Sequence, residues 1–313
     1  MARERRHGQG LGNSWNSALS HLVGNAPNAL PRLVGRATWL RRKTPERPLF
    51  LIGCGRSGKT VLAAILAEHP QIALYPDEAN HLWHPALYPW RSSPHRATVP
   101  PHWADPARFA AASAGRRTIQ DWERLKGCFW VYQQLSGRRI LLNESALLSF
   151  VVPEILREFP GCRIIHMVRD GRPVAAAWAI RQYAEMQDYP AVFQLAGYAY
   201  DFEQVLDRCA AAWAQQVQEV NDCIQEYDLQ RAGKLLELRY EEFCAEPRAT
   251  LAKLASFLMI DERPFGRIEL DFVQNRNAMD LATLGPGSAD RIGRAMREQL
   301  GHHGYLTLTD RRS

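Results

Sequence analysis

No stretch of this chain stays apolar over the roughly 20 residues that a membrane-spanning helix needs. Residues Met1 to Gly12 are basic and polar, and no apolar segment of the secretory kind follows them, so a cytoplasmic protein is expected. Cysteine is sparse: Cys54, Cys128, Cys162, Cys209, Cys223 and Cys244 are scattered and form no C-x-x-C pair. Most of them sit within apolar runs, which favours buried free thiols in a reducing compartment over disulfides or zinc. Strong charge of one sign is also missing. The net charge of +6 suits an anionic ligand, but it is too mild and too dispersed to argue for nucleic acid. There is no internal repeat and no low-complexity tract.

What is present is an ordinary globular composition over 313 residues, 46% hydrophobic and 23% charged, enough for one large α/β domain or two small ones. Residues 1 to about 47 read as a basic extension. A loose apolar pattern (Trp15, Leu19, Leu22, Val23) precedes the basic stretch from Arg36 to Lys43. A partly ordered arm is the plainer expectation; a weak amphipathic helix touching a membrane or a partner is the alternative.

From Pro48 onward the pattern alternates. Leu49 to Ile52 is a short continuous apolar run, typical of a strand buried on both faces. Leu62, Ile65 and Leu66 then repeat at helical spacing up to His69-Pro70. Further strands are expected at Ile72–Tyr75, Arg139–Leu142, Arg163–Val168 and Leu235–Leu238. Among and after them come helices carrying Leu148 to Phe159, one from about Pro173, and others carrying Phe202 to Ile224 and Leu251 to Leu258. Strands alternating with helices predict a P-loop-containing three-layer α/β/α domain with a central parallel sheet, over residues 48–313. A variable lid or substrate-binding insertion is expected at about 80–135, where Pro, His and Trp crowd together.

Gly53-Cys54-Gly55-Arg56-Ser57-Gly58-Lys59-Thr60 satisfies G-x-x-x-x-G-K-[ST] between a predicted strand and a predicted helix. Glycines allow a tight turn whose N–H groups converge on phosphate oxygens, and the helix N-terminus adds partial positive charge. A nucleotide triphosphatase would also need a magnesium carboxylate after a second apolar strand. Here Ile164 to Val168 runs into Arg169-Asp170, so the first polar residue is a cation. That makes a poor metal site and a good second phosphate site, at the strand end where such sheets bind ligands. Arg172 lies nearby, with ordinary surface salt bridging as its other reading.

These segments resemble sulfotransferases that use 3′-phosphoadenosine 5′-phosphosulfate, the tyrosylprotein and related bacterial branches above all. Gly53 to Pro70 is similar to that family's 5′-phosphosulfate loop and its helix. Phe159 to Trp178 is similar to the 3′-phosphate strand–loop–helix with its Arg-Asp-x-Arg signature. Leu238 to Phe243 matches the R-Y-E-D-L segment, and Arg291 to Arg294 with Gly304-Tyr305 matches the C-terminal closing segment. The resemblance implies that Gly55, Arg56, Ser57, Gly58, Lys59 and Thr60 hold the 5′-phosphosulfate. It further implies that Arg169 and Arg294 take the 3′-phosphate, that Tyr240 packs near the adenine or the sheet edge, and that no metal takes part. In the tyrosylprotein branch a glutamate after the second strand is the base, and Glu78 is the nearest match; Asp77, His81 and His84 are its rivals. Glu78, Lys59 and Arg56 are therefore the candidate catalytic residues.

Three positions depart from the family pattern. Lys59 replaces a loop threonine, Ala177 replaces the serine eight residues after Arg169, and Glu144 stands where the family's catalytic lysine would align. A lysine gained in the loop and another lost beside it suggest a swap, with Lys59 and Glu144 a few ångströms apart. The expected reaction is metal-independent transfer of a sulfuryl group to a hydroxyl or phenol. The same residues leave open an ATP- or GTP-dependent kinase and a non-catalytic nucleotide-binding protein.

Overall fold

A computed structural model describes residues 29–83, 121–188 and 200–306 of the chain. Five strands, β1 (Pro48–Ile52), β2 (Ile72–Leu74), β3 (Ile140–Glu144), β4 (Arg163–Val168) and β5 (Leu235–Arg239), form one sheet in the order β2-β3-β1-β4-β5, with every pairing parallel. The predicted architecture is therefore observed.

Every residue of β1 is buried, as its unbroken apolar run requires. Phe50 and Ile52 face one side and pack with Phe129, Phe159 and Trp83; Leu49 and Leu51 face the other and pack with Leu62, Leu66 and Leu254. Burying each such side chain stabilises the fold by about 1.5–3 kcal/mol, so β1 anchors both layers. The helices of these layers, in chain order, are α1 (Ala29–Arg36), α2 (Lys59–Ala67), α3 (Asn80–Trp83), α4 (Trp122–Ser136), α5 (Val152–Glu158), α6 (Gly171–Asp188), α7 (Phe202–Glu226), α8 (Tyr240–Ala245), α9 (Pro247–Leu258), α10 (Asn277–Leu281), α11 (Ser288–Ala295) and α12 (Arg297–His302). The long amphipathic α7 starts at a capping box, in which Asp201 and Gln204 satisfy each other's backbone N–H groups.

Two features were not legible beforehand. Part of the basic extension is built into the core: α1 and the 3₁₀ turn Thr38–Arg42 lay Leu30, Val34 and Leu40 against α4. The last quarter of the expected irregular insertion is α4 itself, a regular helix with Leu125, Cys128 and Phe129 buried. All six cysteines are free and five are buried; burial pushes the Cys54 and Cys128 thiols up to about 12.

The connection leaving β1 runs towards β2 and the one leaving β4 runs towards β5 on the opposite side. The crevice where these directions diverge lies at the carboxyl ends of β1 and β4. Gly53 to Gly58 follows β1 there, and Arg169 follows β4.

Candidate donor site at the carboxyl edge of the sheet

The loop after β1 is shaped by backbone conformations that suit glycine. Gly53 has φ of +133° and Gly58 +92°. A Cβ on Gly53 would strike the carbonyl oxygen of Met167, and one on Gly58 would lie 2.7 Å from the Tyr240 ring. The Gly53 N–H is anchored on the Ser149 hydroxyl at 3.1 Å. Arg56, also left-handed at φ +65°, turns its side chain outward while Ser57 turns in. The Ser57 hydroxyl is fully buried and has no partner among the described residues. Gly58 then caps α2 without a side-chain acceptor. An orphaned buried hydroxyl beside a bare helix N-terminus fits an anion that supplies the missing acceptors.

Lys59 is 4% exposed and runs inside the loop. Its Nζ donates to the Cys54 carbonyl at 2.8 Å and stands 3.8 Å from Glu144 Oε1. The Thr60 hydroxyl donates to the same carboxylate oxygen at 3.3 Å. Register explains the meeting, since Glu144 ends β3 opposite Leu51 of β1. The expected Lys59–Glu144 proximity is thus present. Its electrostatic balance differs from a simple pair: burial pushes the Glu144 carboxyl above its ordinary range, the Glu78 charge pushes the same way, and Lys59 and Thr60 only partly offset them.

Glu78 lies half-buried in the 3₁₀ turn Pro76–Ala79, close enough to be felt by Glu144. Glu78 and Ala79 have φ of +56° and +52°. Two consecutive non-glycine residues in this region represent local strain, which persists where the surroundings fix it. Trp83 supplies the anchor: it is fully buried in the core and its Nε1 donates to Asn143 at 2.7 Å. The side chains of Asp77 and His81, and all of His84, Trp90 and Trp103, lie outside the described residues.

Arg169 is 4% exposed and each nitrogen of its guanidinium donates one hydrogen bond. Nη1 donates to the Arg56 carbonyl at 2.7 Å, Nε to Asn277 at 2.8 Å, and Nη2 pairs with Asp280 at 2.5 Å. Its plane lies 4.4 Å over the Tyr240 ring. The Tyr240 hydroxyl donates to the Gln274 carbonyl and accepts the Arg276 N–H, so one ring supports the loop at Gly58, Arg169 and the 274–276 turn. Burial and the neighbouring cations Arg181, Arg169 and Arg276 depress the Arg56 pKa, and Asp280 partly offsets them.

Arg172 is a clasp. It pairs with Asp170 and donates to the Tyr305 carbonyl, tying the C-terminal segment to the β4 edge. Arg294 lies exposed in an open groove with Gln218 and Arg297, near α7 and α12. The cations grouped with Arg56 and Arg169 are instead Arg181 and Arg276, which sequence reasoning missed. Arg181 lies three turns along α6 from Arg169, and Arg276 precedes a short helix with no recognisable motif. Ala177 is buried on α6 and brings no hydroxyl. The two carboxylates best placed for magnesium are already engaged, Asp170 by Arg172 and Glu144 by Thr60 and Lys59.

A sulfotransferase family model matches residues 48–264, from β1 to the turn after α9. The chain belongs to the sulfotransferase family. No curated protein matches it. Among solved structures, this sulfotransferase is similar to STF9 of Mycobacterium avium, with 12% identity over 87% of this chain and 81% of that one and a TM-score of 0.60. It is similar too to STF1 of Mycobacterium tuberculosis H37Rv, with 14% identity over 85% and 81% and a TM-score of 0.57. At these identities the likeness is one of fold. Family membership and the phosphate loop together exclude a generic kinase as the better reading. Among the described residues no helix is long and apolar enough to cross a membrane.

Proposed function

We propose that this sulfotransferase takes its sulfuryl group from 3′-phosphoadenosine 5′-phosphosulfate and passes it to a hydroxyl or phenol, without a metal. The observation that carries the reading is that one loop joins two cationic features. The buried, unpartnered Ser57 hydroxyl and Lys59 lie inside the loop, and Arg169 grips the loop's outer carbonyl at Arg56. A donor with phosphates at both the 5′ and 3′ positions of one ribose has the matching charge pattern.

In this reading Gly55 to Thr60 hold the 5′-phosphosulfate, Arg169 takes the 3′-phosphate with Arg276 and Arg181 at hand, and Tyr240 forms the floor. Arg294 is the less suitable second partner, given its place in the α7–α12 groove. The acceptor oxygen attacks sulfur, the sulfur–oxygen bond to the 5′-phosphate breaks, and Glu78 receives the acceptor's proton. Lys59 and Arg56 hold the charge that develops on the departing phosphate, so fixed cations do the work for which other transferases recruit magnesium.

Calorimetric titration with adenosine 3′,5′-bisphosphate, ATP and ADP, each with and without magnesium, tests the proposal. Preference for the bisphosphate in the absence of metal supports it. Tight, magnesium-dependent binding of ATP contradicts it.

A further inference from the structure

The donor site leaves one feature unused: the built-in part of the basic extension. Between Glu4 and Glu46 the sequence has seven Lys and Arg residues and no acidic residue. α1 and the 3₁₀ turn, which carry Arg36, Arg41 and Arg42, pack against α4. The Leu30 and Val34 face of α1 is consumed by packing, so its amphipathic pattern is already satisfied. Leu33 and Trp39 are left over, 48% and 59% exposed. Trp39 sets its edge against Trp130 at 6.3 Å, and the Lys43 ammonium lies 5.6 Å over the same Trp130 ring. Arg41 is neutralised by Asp121 and Glu123. Arg36 and Arg42 are exposed and have no ion pair among the described residues.

We propose that this surface, Leu33 and Trp39 among Arg36, Arg42 and Lys43, docks the enzyme on an anionic lipid bilayer. Charge complementarity selects the occupant: Arg36, Arg42 and Lys43 are exposed cations without an ion pair among the described residues, Asp121 and Glu123 are taken up by Arg41, and the 5–45 stretch has no acidic residue of its own. The apolar pair decides between lipid and other polyanions. Trp39 combines an apolar body with an N–H and is fixed at its base by Trp130, the arrangement that suits the headgroup boundary. Leu33 gains nothing against the phosphates of a nucleic acid, whereas acyl chains take it out of water. The contact is peripheral and reversible, since two apolar side chains and three cations fall far short of an anchor.

The test is co-sedimentation of the full chain with vesicles of phosphatidylcholine alone and of phosphatidylcholine mixed with phosphatidylglycerol, at low and high salt. Binding to the anionic vesicles alone, weakened by salt, is expected. The triple variant R36Q/R42Q/K43Q should bind about a hundredfold less well at low salt, and W39A several-fold less well, both keeping the wild-type circular dichroism. Absence of binding to anionic vesicles overturns the proposal. So does binding that survives both variants, which assigns it to residues 1–28, and so does RNA competing with vesicles in a W39A-independent manner. None of these results bears on the donor site, which lies at the other end of β1.

Discussion

The Lys59 ammonium stands 3.8 Å from the Glu144 carboxylate, with both side chains almost wholly buried and Thr60 bonded to the same oxygen. The pair joins the phosphate loop to the end of β3. Lys59→Ala should weaken donor binding or turnover by about 1.5–3 kcal/mol, the value of a charge-assisted hydrogen bond. Lys59→Thr leaves Glu144 facing the donor's charge without its partner. Lys59→Thr combined with Glu144→Lys should therefore recover more than either single change, and a double-mutant cycle on donor affinity reads the coupling. Simple additivity would show that the two residues do not communicate.

Arg169 and its neighbours divide the cations into two groups with different expected effects. Arg169→Lys forfeits the geometry that reaches Arg56, Asn277 and Asp280 together. Bisphosphate affinity should fall about ten- to a hundredfold. Arg276→Gln should cost more affinity than Arg294→Gln, because Arg276 lies in the electrostatic neighbourhood of Arg56 and Arg294 lies in the α7–α12 groove. Titrations of the three variants against one ligand rank them; a larger loss for Arg294 would restore the assignment that the sequence resemblance implied.

Gly58→Ala places a methyl 2.7 Å from the Tyr240 ring at a φ of +92°. Left-handed backbone costs about 1–2 kcal/mol for an alanine, and the clash adds to it. The expected outcome is a loosened loop with donor affinity down by at least tenfold. Gly58→Ala and Tyr240→Ala should together cost less than the sum of the two single changes, measured by thermal unfolding, because removing the ring also removes the clash.

Beneath the donor loop, where His166 pairs in register with Ile52, His166 and His303 each place Nδ1 on one oxygen of Glu237, at 3.1 and 3.3 Å. Burial depresses the His166 pKa below its ordinary value. A lowered folded pKa means that the unfolded chain binds the proton more readily, so stability is full above about pH 6.5, the unfolded imidazole value, and falls as the pH drops below it. Glu237 adds to the same trend. Burial raises its pKa, but the two imidazole hydrogen bonds outweigh that and hold it well below the carboxylate range, so its stabilisation is lost only in stronger acid. His166→Gln should flatten the decline of the melting temperature between pH 7 and pH 5. An unchanged slope would place the acid sensitivity elsewhere.

Much of this was legible in the residues. Leu49 to Ile52 has no polar position, so it had to be a central strand, and the loop motif had to follow it. Arg169 was legible because a cation ending an apolar strand is unusual in a site that would otherwise bind metal. Asn277 and Asp280 were not, since they reach Arg169 across 108–111 residues of chain and sit on a five-residue helix with no motif, and Arg276 only precedes that helix. The burial of α1 was hidden for a related reason: its Leu30, Val34 pattern is too short to stand out, and only α4 gives it something to pack on. Arg294 was assigned from a segment whose order along the chain matched the family, and order does not fix which way an exposed side chain leaves a helix.

The most direct measurement of the central claim is a crystal structure of the full chain with adenosine 3′,5′-bisphosphate. The 5′-phosphate is expected within hydrogen-bond reach of Ser57 Oγ and Lys59 Nζ. The 3′-phosphate should lie against Arg169 and Arg276, with Asp280 displaced from Nη2. A nucleotide bound through a metal on Asp170 or Glu144, or one lying outside the Gly53–Gly58 loop, would contradict it.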